Sequence, residues 1–178
     1  MFSWFLFSIS VVAAPIETHD FSLTSSEGKV SLSDLKGQVV LIFFGFTACP
    51  DVCPISLSTI SQVFNKLKKE ELVRAKALFI TLDPKRDKVE LMKEYTSFFH
   101  DNIIGLTGQP SKISEIAQLY GVKYKKKTLE SSALGYVINH TADIFLIDSF
   151  GMLIEQYPHD VDAEVLVRKI RNLLKYQS

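Results

Sequence analysis

Residues 38–46, QVVLIFFGF, form an almost unbroken apolar run. A strand with one face in water alternates apolar and polar residues, so this run is expected of a strand buried on both faces, inside a sheet covered by helices. Overlapping its end is FGFTACPDVCP (44–54), which carries the only two cysteines of the chain, Cys49 and Cys53. Beyond them Pro54 opens a helix, since Ile60, Val63, Phe64 and Leu67 recur at helical spacing and proline suits a first helical turn. The cysteine pair therefore stands where a buried strand gives way to a helix.

The rest of the chain alternates strands with helices. FSLTSSEGKVSLSDLKG reads as a β-hairpin turning at Glu27-Gly28, ahead of the apolar run. AKALFITLD is a second strand, and a helix from about Asp87 would face its core with Leu91, Met92, Tyr95, Phe98 and Phe99. NIIGLTG is a short strand leading through Pro110 into a helix carrying Ile113, Ile116, Ala117 and Tyr120. Lys123-Tyr124-Lys125-Lys126-Lys127 reads as a solvated loop, able to steer an acidic partner at low salt. LGYVINH is a strand, and ADIFLIDSFGMLIEQY is a hairpin turning at Ser149-Phe150-Gly151. Asp160 is placed to cap a last helix with Ala163, Leu166, Val167, Ile170 and Leu173 inward. The fold class is α/β: a central mixed β-sheet flanked by helices, with an N-terminal β-hairpin extension.

A chain of 178 residues suits one domain that folds without staples. Its 20 acidic and 20 basic residues cancel, so no global field favours nucleic acid or an anionic membrane, which argues against nucleic-acid binding as the main task. MFSWFLFSISVVAAPIE has no charge before Glu17, and no basic residue precedes Lys29. The run is short of the ~20 residues that span a bilayer but has the size of a secretory hydrophobic region, and Val12-Ala13-Ala14 offers small residues for cleavage. Residues 1–16 are thus expected to be an export leader, either a signal peptide or a membrane anchor, in preference to a buried N-terminal strand, and 17–178 the domain. No cysteine lies near the leader, which rules out a lipoprotein anchor there. An oxidising compartment would let Cys49 and Cys53 cycle between thiols and a disulfide.

Both cysteines precede prolines, and a residue before proline is pushed away from the right-handed α region. A tight loop is expected, with neither cysteine inside a regular helix and both sulfurs near unpaired N–H groups at the positive end of the helix dipole. That setting lowers a thiol's pKa, and the thiolate is the form that binds metal and attacks disulfides. Three intervening residues accommodate a disulfide or two sulfurs sharing a metal ion. A purely structural disulfide is disfavoured, because closing so short a loop removes little chain entropy.

Two sulfurs leave most metal ions under-coordinated. Of the four histidines, His19 follows the leader, His100 ends the Phe98-Phe99 helix near its terminal carbonyls, and His159 adjoins the last helix; each has an ordinary structural explanation. His140 falls where the strand LGYVIN gives way to ADIFLID, a junction able to lie across the sheet from the cysteine loop. By position it is either a hydrogen-bonded strand-end residue or a third ligand.

GFTACPDVCP (45–54), TLDPKRD (81–87) and NHTADIFLID (139–148), with LSDLKGQVVLIFFG leading into the first, resemble the SCO/SenC family of copper proteins that serve cytochrome c oxidase assembly. The resemblance runs from about Asp20 to the C-terminus and implies a thioredoxin-like fold. It also implies a copper site formed by Cys49, Cys53 and His140, taking Cu(I) and, in the family, Cu(II). Soft thiolates suit Cu(I) and imidazole suits either oxidation state, whereas a closed zinc site would need a fourth ligand and no third cysteine exists. Asp143, close in sequence to His140, is a further candidate. Asp83, Arg86 and Asp87 are expected either to support the ligands or to contact a partner; otherwise Asp83-Pro84 is a turn and Asp87 a helix cap.

The implied function is an exported metallochaperone in the periplasm, on the periplasmic face of the inner membrane, or in the mitochondrial intermembrane space of a eukaryote. It would receive copper from a donor, be kept reduced by a thiol reductant and hand copper to a respiratory oxidase subunit, gated by the Cys49/Cys53 redox state. The alternative is a thiol–disulfide oxidoreductase acting on partner cysteines. Thioredoxin-like reductases place a cis-proline in the loop that here reads Asn139-His140-Thr141-Ala142. A peroxiredoxin-like peroxidase fits poorly, because Thr47 stands two residues before Cys49 instead of three.

Overall fold

The computed structural model describes residues 16–17, 20–130 and 135–176; the expected leader up to residue 15, and His19, lie outside the described residues. The elements run β1 (Ile16–Glu17), β2 (Ser22–Ser25), β3 (Gly28–Ser31), a 3-10 turn (Leu32–Leu35), β4 (Val39–Gly45), α1 (Val52–Lys66) and α2 (Lys69–Leu72). They continue through β5 (Ala75–Thr81), α3 (Val89–Ser97), β6 (Ile103–Leu106), α4 (Pro110–Leu119), β7 (Tyr124–Thr128), β8 (Tyr136–His140), β9 (Ile144–Ile147), β10 (Met152–Tyr157) and α5 (Ala163–Tyr176).

Every residue of β4 is buried, as its apolar run requires. It occupies the middle of a six-stranded sheet ordered β1-β10-β9-β4-β5-β6. β5 pairs with β4 and β6 in parallel, whereas β9 runs antiparallel to β4, and β10 antiparallel to β9. The sheet is therefore mixed, and its antiparallel half comes from the late hairpin. Cys53 at the head of α1 and Tyr95 and Met92 of α3 cover the face that carries Gly45, Phe79 and Gly105. Tyr120, just past α4, covers the opposite face against Phe44 and Phe145. α5 lies beside α1, with Leu166, Val167 and Ile170 buried and Arg171 donating to the Lys66 carbonyl at 2.8 Å. The N-terminal hairpin turns through Gly28, whose φ of 116° a side chain would oppose, and docks on β6 through reciprocal Thr24–Thr107 backbone bonds of 2.8 and 2.9 Å.

Five local expectations need correction. α1 begins at Val52, so Cys53 lies in its first turn and Pro54 does not open it. The first turn leaves its N–H groups unpaired, so the proline costs no hydrogen bond there, and the pre-proline preference is soft enough to yield. Residues 124–128 are a strand paired with β8, not a loop. α3 begins at Val89, and Asp87 is used elsewhere. Leu91 and Phe98 are exposed: Met92, Tyr95 and Phe99 define the inward face, Leu91 sits one position off it, and Phe98 follows the helix end. At the start of α5 the Asp162 carboxylate, not that of Asp160, accepts from Glu164 N–H at 2.9 Å, and Leu174 is buried more fully than Leu173.

Candidate metal centre

The end of β4 delivers the chain through Phe46 and Thr47 into the cysteine loop, where Cys49 N–H donates to the Phe46 carbonyl at 3.2 Å. Cys49 is half-buried at the rim, and Cys53, on the first turn of α1, is fully buried. The close seating of Cys53 requires Gly45. A Cβ there would stand 2.7 Å from Cys53 Sγ and 2.8 Å from Phe79 Cε2, both inside van der Waals contact. The glycine that interrupts the apolar run was thus a readable signal, since glycine in a strand interior often marks a close approach.

β8 brings His140 to the same end of the sheet. Its ring makes edge contacts with Phe43 and Phe46, at centroid distances of 6.4 and 6.0 Å. Nδ1 lies 2.8 Å from the Thr141 carbonyl. A carbonyl can only accept, so Nδ1 carries the hydrogen and the neutral ring presents its Nε2 lone pair, 3.6 Å from Cys53 Sγ. One donor atom each from Cys49, Cys53 and His140 lies within 4.8 Å of the others. Sulfur and nitrogen ligands at about 2.3 and 2.0 Å from one ion, spread trigonally, stand about 3.7 Å apart, and two such sulfurs about 4.0 Å. The three residues therefore need only small adjustments to close on a single metal ion.

The two thiols differ electrostatically. Cys49 is drawn down to about 4, first by the hydrogen bond it receives from Cys53 and then by the N–H groups of Asp51 and Cys53, against the opposing effect of partial burial. Cys53 is pushed up by the same shared bond, by burial and by the negative charge of Cys49. Without metal these shifts favour one thiolate and one thiol, the thiolate on the half-buried Cys49 at the rim.

TLDPKRD supports both halves of this cluster. The buried Asp87 carboxylate accepts from Thr47 N–H at 3.0 Å, from Thr47 O–H at 2.6 Å and from Thr81 O–H at 2.6 Å, tying the root of the cysteine loop to the end of β5. Asp83 pairs with Arg86 Nε and accepts the Tyr136 hydroxyl at 2.8 and 2.9 Å. Arg86 also donates to the Tyr136 carbonyl at 3.2 Å and lies 3.8 Å from the centre of the Tyr136 ring. The segment thereby grips β8, the strand that ends in His140. Thr47, Thr81 and Tyr136 were not anticipated; nothing in the local sequence of Tyr136 marks it as the far partner of Asp83.

The other candidates lie apart. The Asp143 carboxylate accepts from Gln156 at 2.7 Å and is not in the donor cluster. His100 Nδ1 accepts from Asn102 N–H at 2.9 Å, its ring packs on Phe64, and burial lowers its pKa. His159 sits between β10 and α5, outside the cluster. Among the described residues no helix is long and apolar enough to cross a membrane.

The profile of the SCO1/SenC family matches residues 12–175. The chain belongs to the SCO1/SenC family. It is similar to an SCO2-like protein of Rickettsia conorii, 35% identical over 154 residues that make up 86% of this chain and 75% of that one. The mitochondrial SCO2 homolog of Bos taurus is 36% identical over 160 residues, 89% of this chain and 60% of that protein. Among solved structures, ScoI of Bradyrhizobium japonicum with copper bound superposes with a TM-score of 0.80 at 35% identity, covering 89% of this chain and 100% of that one. Apo Sco1 of Thermus thermophilus gives 0.82 at 35%, covering 92% and 94%. The fold is the thioredoxin-like one of these SCO1/SenC proteins, as expected from the cysteine loop and late hairpin.

Proposed function

We propose that this SCO1/SenC protein is a copper-binding metallochaperone that delivers copper to a respiratory cytochrome c oxidase subunit during assembly. The observation that carries the reading is the convergence of Cys49, Cys53 and the Nε2 face of His140 on one point. Two soft sulfurs and one imidazole suit Cu(I), and three ligands leave the ion open to an incoming donor. The copper-bound ScoI relative supports the choice of metal. Asp87 and the Asp83–Arg86–Tyr136 clamp hold the ligand-bearing loop and strand in place. Oxidation of the metal-free thiolate–thiol pair to a disulfide, with loss of two electrons and the one proton on Cys53, removes both sulfur ligands, so redox state gates loading. The cycle needs a copper donor and a thiol reductant, and residues 1–16 act as leader or anchor in the periplasm or intermembrane space.

Anaerobic Cu(I) titration against a competing chelator tests this. The reduced protein should bind one Cu(I), and the disulfide form should bind orders of magnitude more weakly; equal binding by both forms overturns the reading. A thiol–disulfide oxidoreductase is the second reading, favoured by a half-buried Cys49 at the rim held as thiolate beside a buried Cys53 thiol. His140→Ala separates the two: it should weaken Cu(I) binding by orders of magnitude while leaving exchange with a model disulfide largely intact.

A further inference from the structure

We infer that β7 is a docking surface for an acidic protein face, set beside the metal centre so that the copper-exchanging partner is captured there. The inference rests on the metallochaperone reading for its purpose, but not for its geometry. Lys123, Lys125, Lys126 and Lys127 place four of the chain's 20 basic residues within five positions, in a molecule whose formal charge is zero. All four are exposed, and none forms an ion pair among the described residues.

Strand register decides where these charges point. Among the described residues β7 pairs only with β8, Lys125 opposite Asn139 and Lys127 opposite Val137, while Lys126 stands opposite the buried Ile138. Side chains directly opposite in a ladder share a face. Lys125 and Lys127 therefore share the outward face with Asn139 and Val137, and those two residues line an open depression of ≈ 390 Å³ together with Cys49 and His140. Lys126 turns the other way and caps the Tyr136 ring, its Nζ 3.2 Å from the ring centre. His140, opposite Tyr124, and Ile138 have the other parity and line the same depression, so it runs along β8 itself. The lysines of β7 flank it one strand away, with Thr141 N–H donating to the Lys123 carbonyl at 2.9 Å beside the ligand histidine. The opposing charge at the rim is that of Asp51, exposed on the cysteine loop.

A partner that takes copper must bring its own ligands to bonding distance of Cys49 and His140. Four positive charges at the edge of that approach attract an acidic surface from a distance and fix its orientation. An anionic membrane would meet the same lysines, but a flat lipid surface resting on them would cover the depression that the partner has to enter. Lysines on an edge strand also discourage strand addition by other chains. That role alone gives no preference between acidic and basic partners.

The test uses two dithiol peptides with the same Cys-Ala-Ala-Ala-Cys core, one flanked by four glutamates and one by four lysines. The full chain is reduced, loaded with Cu(I) and mixed with each peptide by stopped flow; in parallel, the reduced metal-free chain is mixed with each peptide in its disulfide form. The acidic peptide should react faster by about tenfold when the Debye length is about 30 Å, and the gap should close when it is about 3 Å. Lys125→Glu/Lys127→Glu should reverse the preference, and the charge-matched Lys68→Glu/Lys69→Glu at the far end of the molecule should retain it. Equal rates for both peptides at low salt, or a preference untouched by the β7 substitutions, overturns the inference. So does binding to phosphatidylglycerol vesicles that depends on Lys125 and Lys127 while the peptide preference does not. If Cu(I) is not bound at all, the metallochaperone reading fails, and the disulfide arm still decides the docking surface.

Discussion

Removing the Asp87 carboxylate should do more damage than removing an ordinary buried hydrogen-bonding group, and the size can be worked from its partners. Asp87 is fully buried and accepts three bonds, from the Thr47 N–H, the Thr47 hydroxyl and the Thr81 hydroxyl. A bond to a charged acceptor contributes about 1.5–3 kcal/mol, so the three supply ~4.5–9 kcal/mol against several kcal/mol spent on keeping the charge from water. Asp87→Ala forfeits the bonds and strands a buried N–H, for a loss of about 3–5 kcal/mol. Asp87→Asn keeps the shape and one acceptor oxygen, and both threonine hydroxyls can turn to accept from the new amide, for a loss of about 1–2 kcal/mol. With a urea dependence of about 2 kcal/mol per molar, the midpoint should fall by about 2 M for Ala and by under about 1 M for Asn. Thr47 anchors the loop that carries Cys49, so about 1.4 kcal/mol of the Ala loss should reach the metal, weakening Cu(I) about tenfold in chelator competition. An Ala variant within about 1 kcal/mol of the parent, or an Asn variant equally damaged, would refute the account of Asp87 as a buried three-bond acceptor.

Gly45→Ala should cost about 1–3 kcal/mol by overpacking against Cys53 and Phe79, and should weaken Cu(I) binding beyond what an equally destabilising Ile60→Val produces; calorimetry and competition titration check both. Tyr136→Phe removes the hydroxyl donated to Asp83, and should lower stability by about 1 kcal/mol in urea melts and Cu(I) affinity several-fold by loosening β8. Alkylation of the reduced, metal-free protein by iodoacetamide should label Cys49 before Cys53. With the Cys49 thiol held near 4, the thiolate is fully formed at neutral pH, so its rate should be flat from pH 6 to 9 and fall only as pH drops toward 4. A rate still climbing through pH 8 would contradict that ionisation.

The buried strand and the cysteine loop at its end were legible because each leaves a mark in the local sequence, an unbroken apolar run and paired cysteines, whereas a histidine at a strand junction left two readings of His140 open until the family resemblance singled it out. What stayed hidden depends on partners distant along the chain. Asp87 reads as a helix cap until the fold brings Thr47, forty positions away, into contact with it. β7 has no apolar alternation and becomes a strand through its ladder to β8, so tertiary pairing overrides composition there. Phe98 was misplaced because helical periodicity continues on paper past Ser97, where the helix ends.

The unequal cover of the two sulfurs gives the centre a front and a back. Cys53 is sealed behind Gly45 and Phe79, while Cys49 and His140 border open solvent. On the metallochaperone reading, a newcomer would meet the outer sulfur and the ring before it could touch the inner sulfur, so cargo would leave in one sequence, with the concealed thiolate the last to let go.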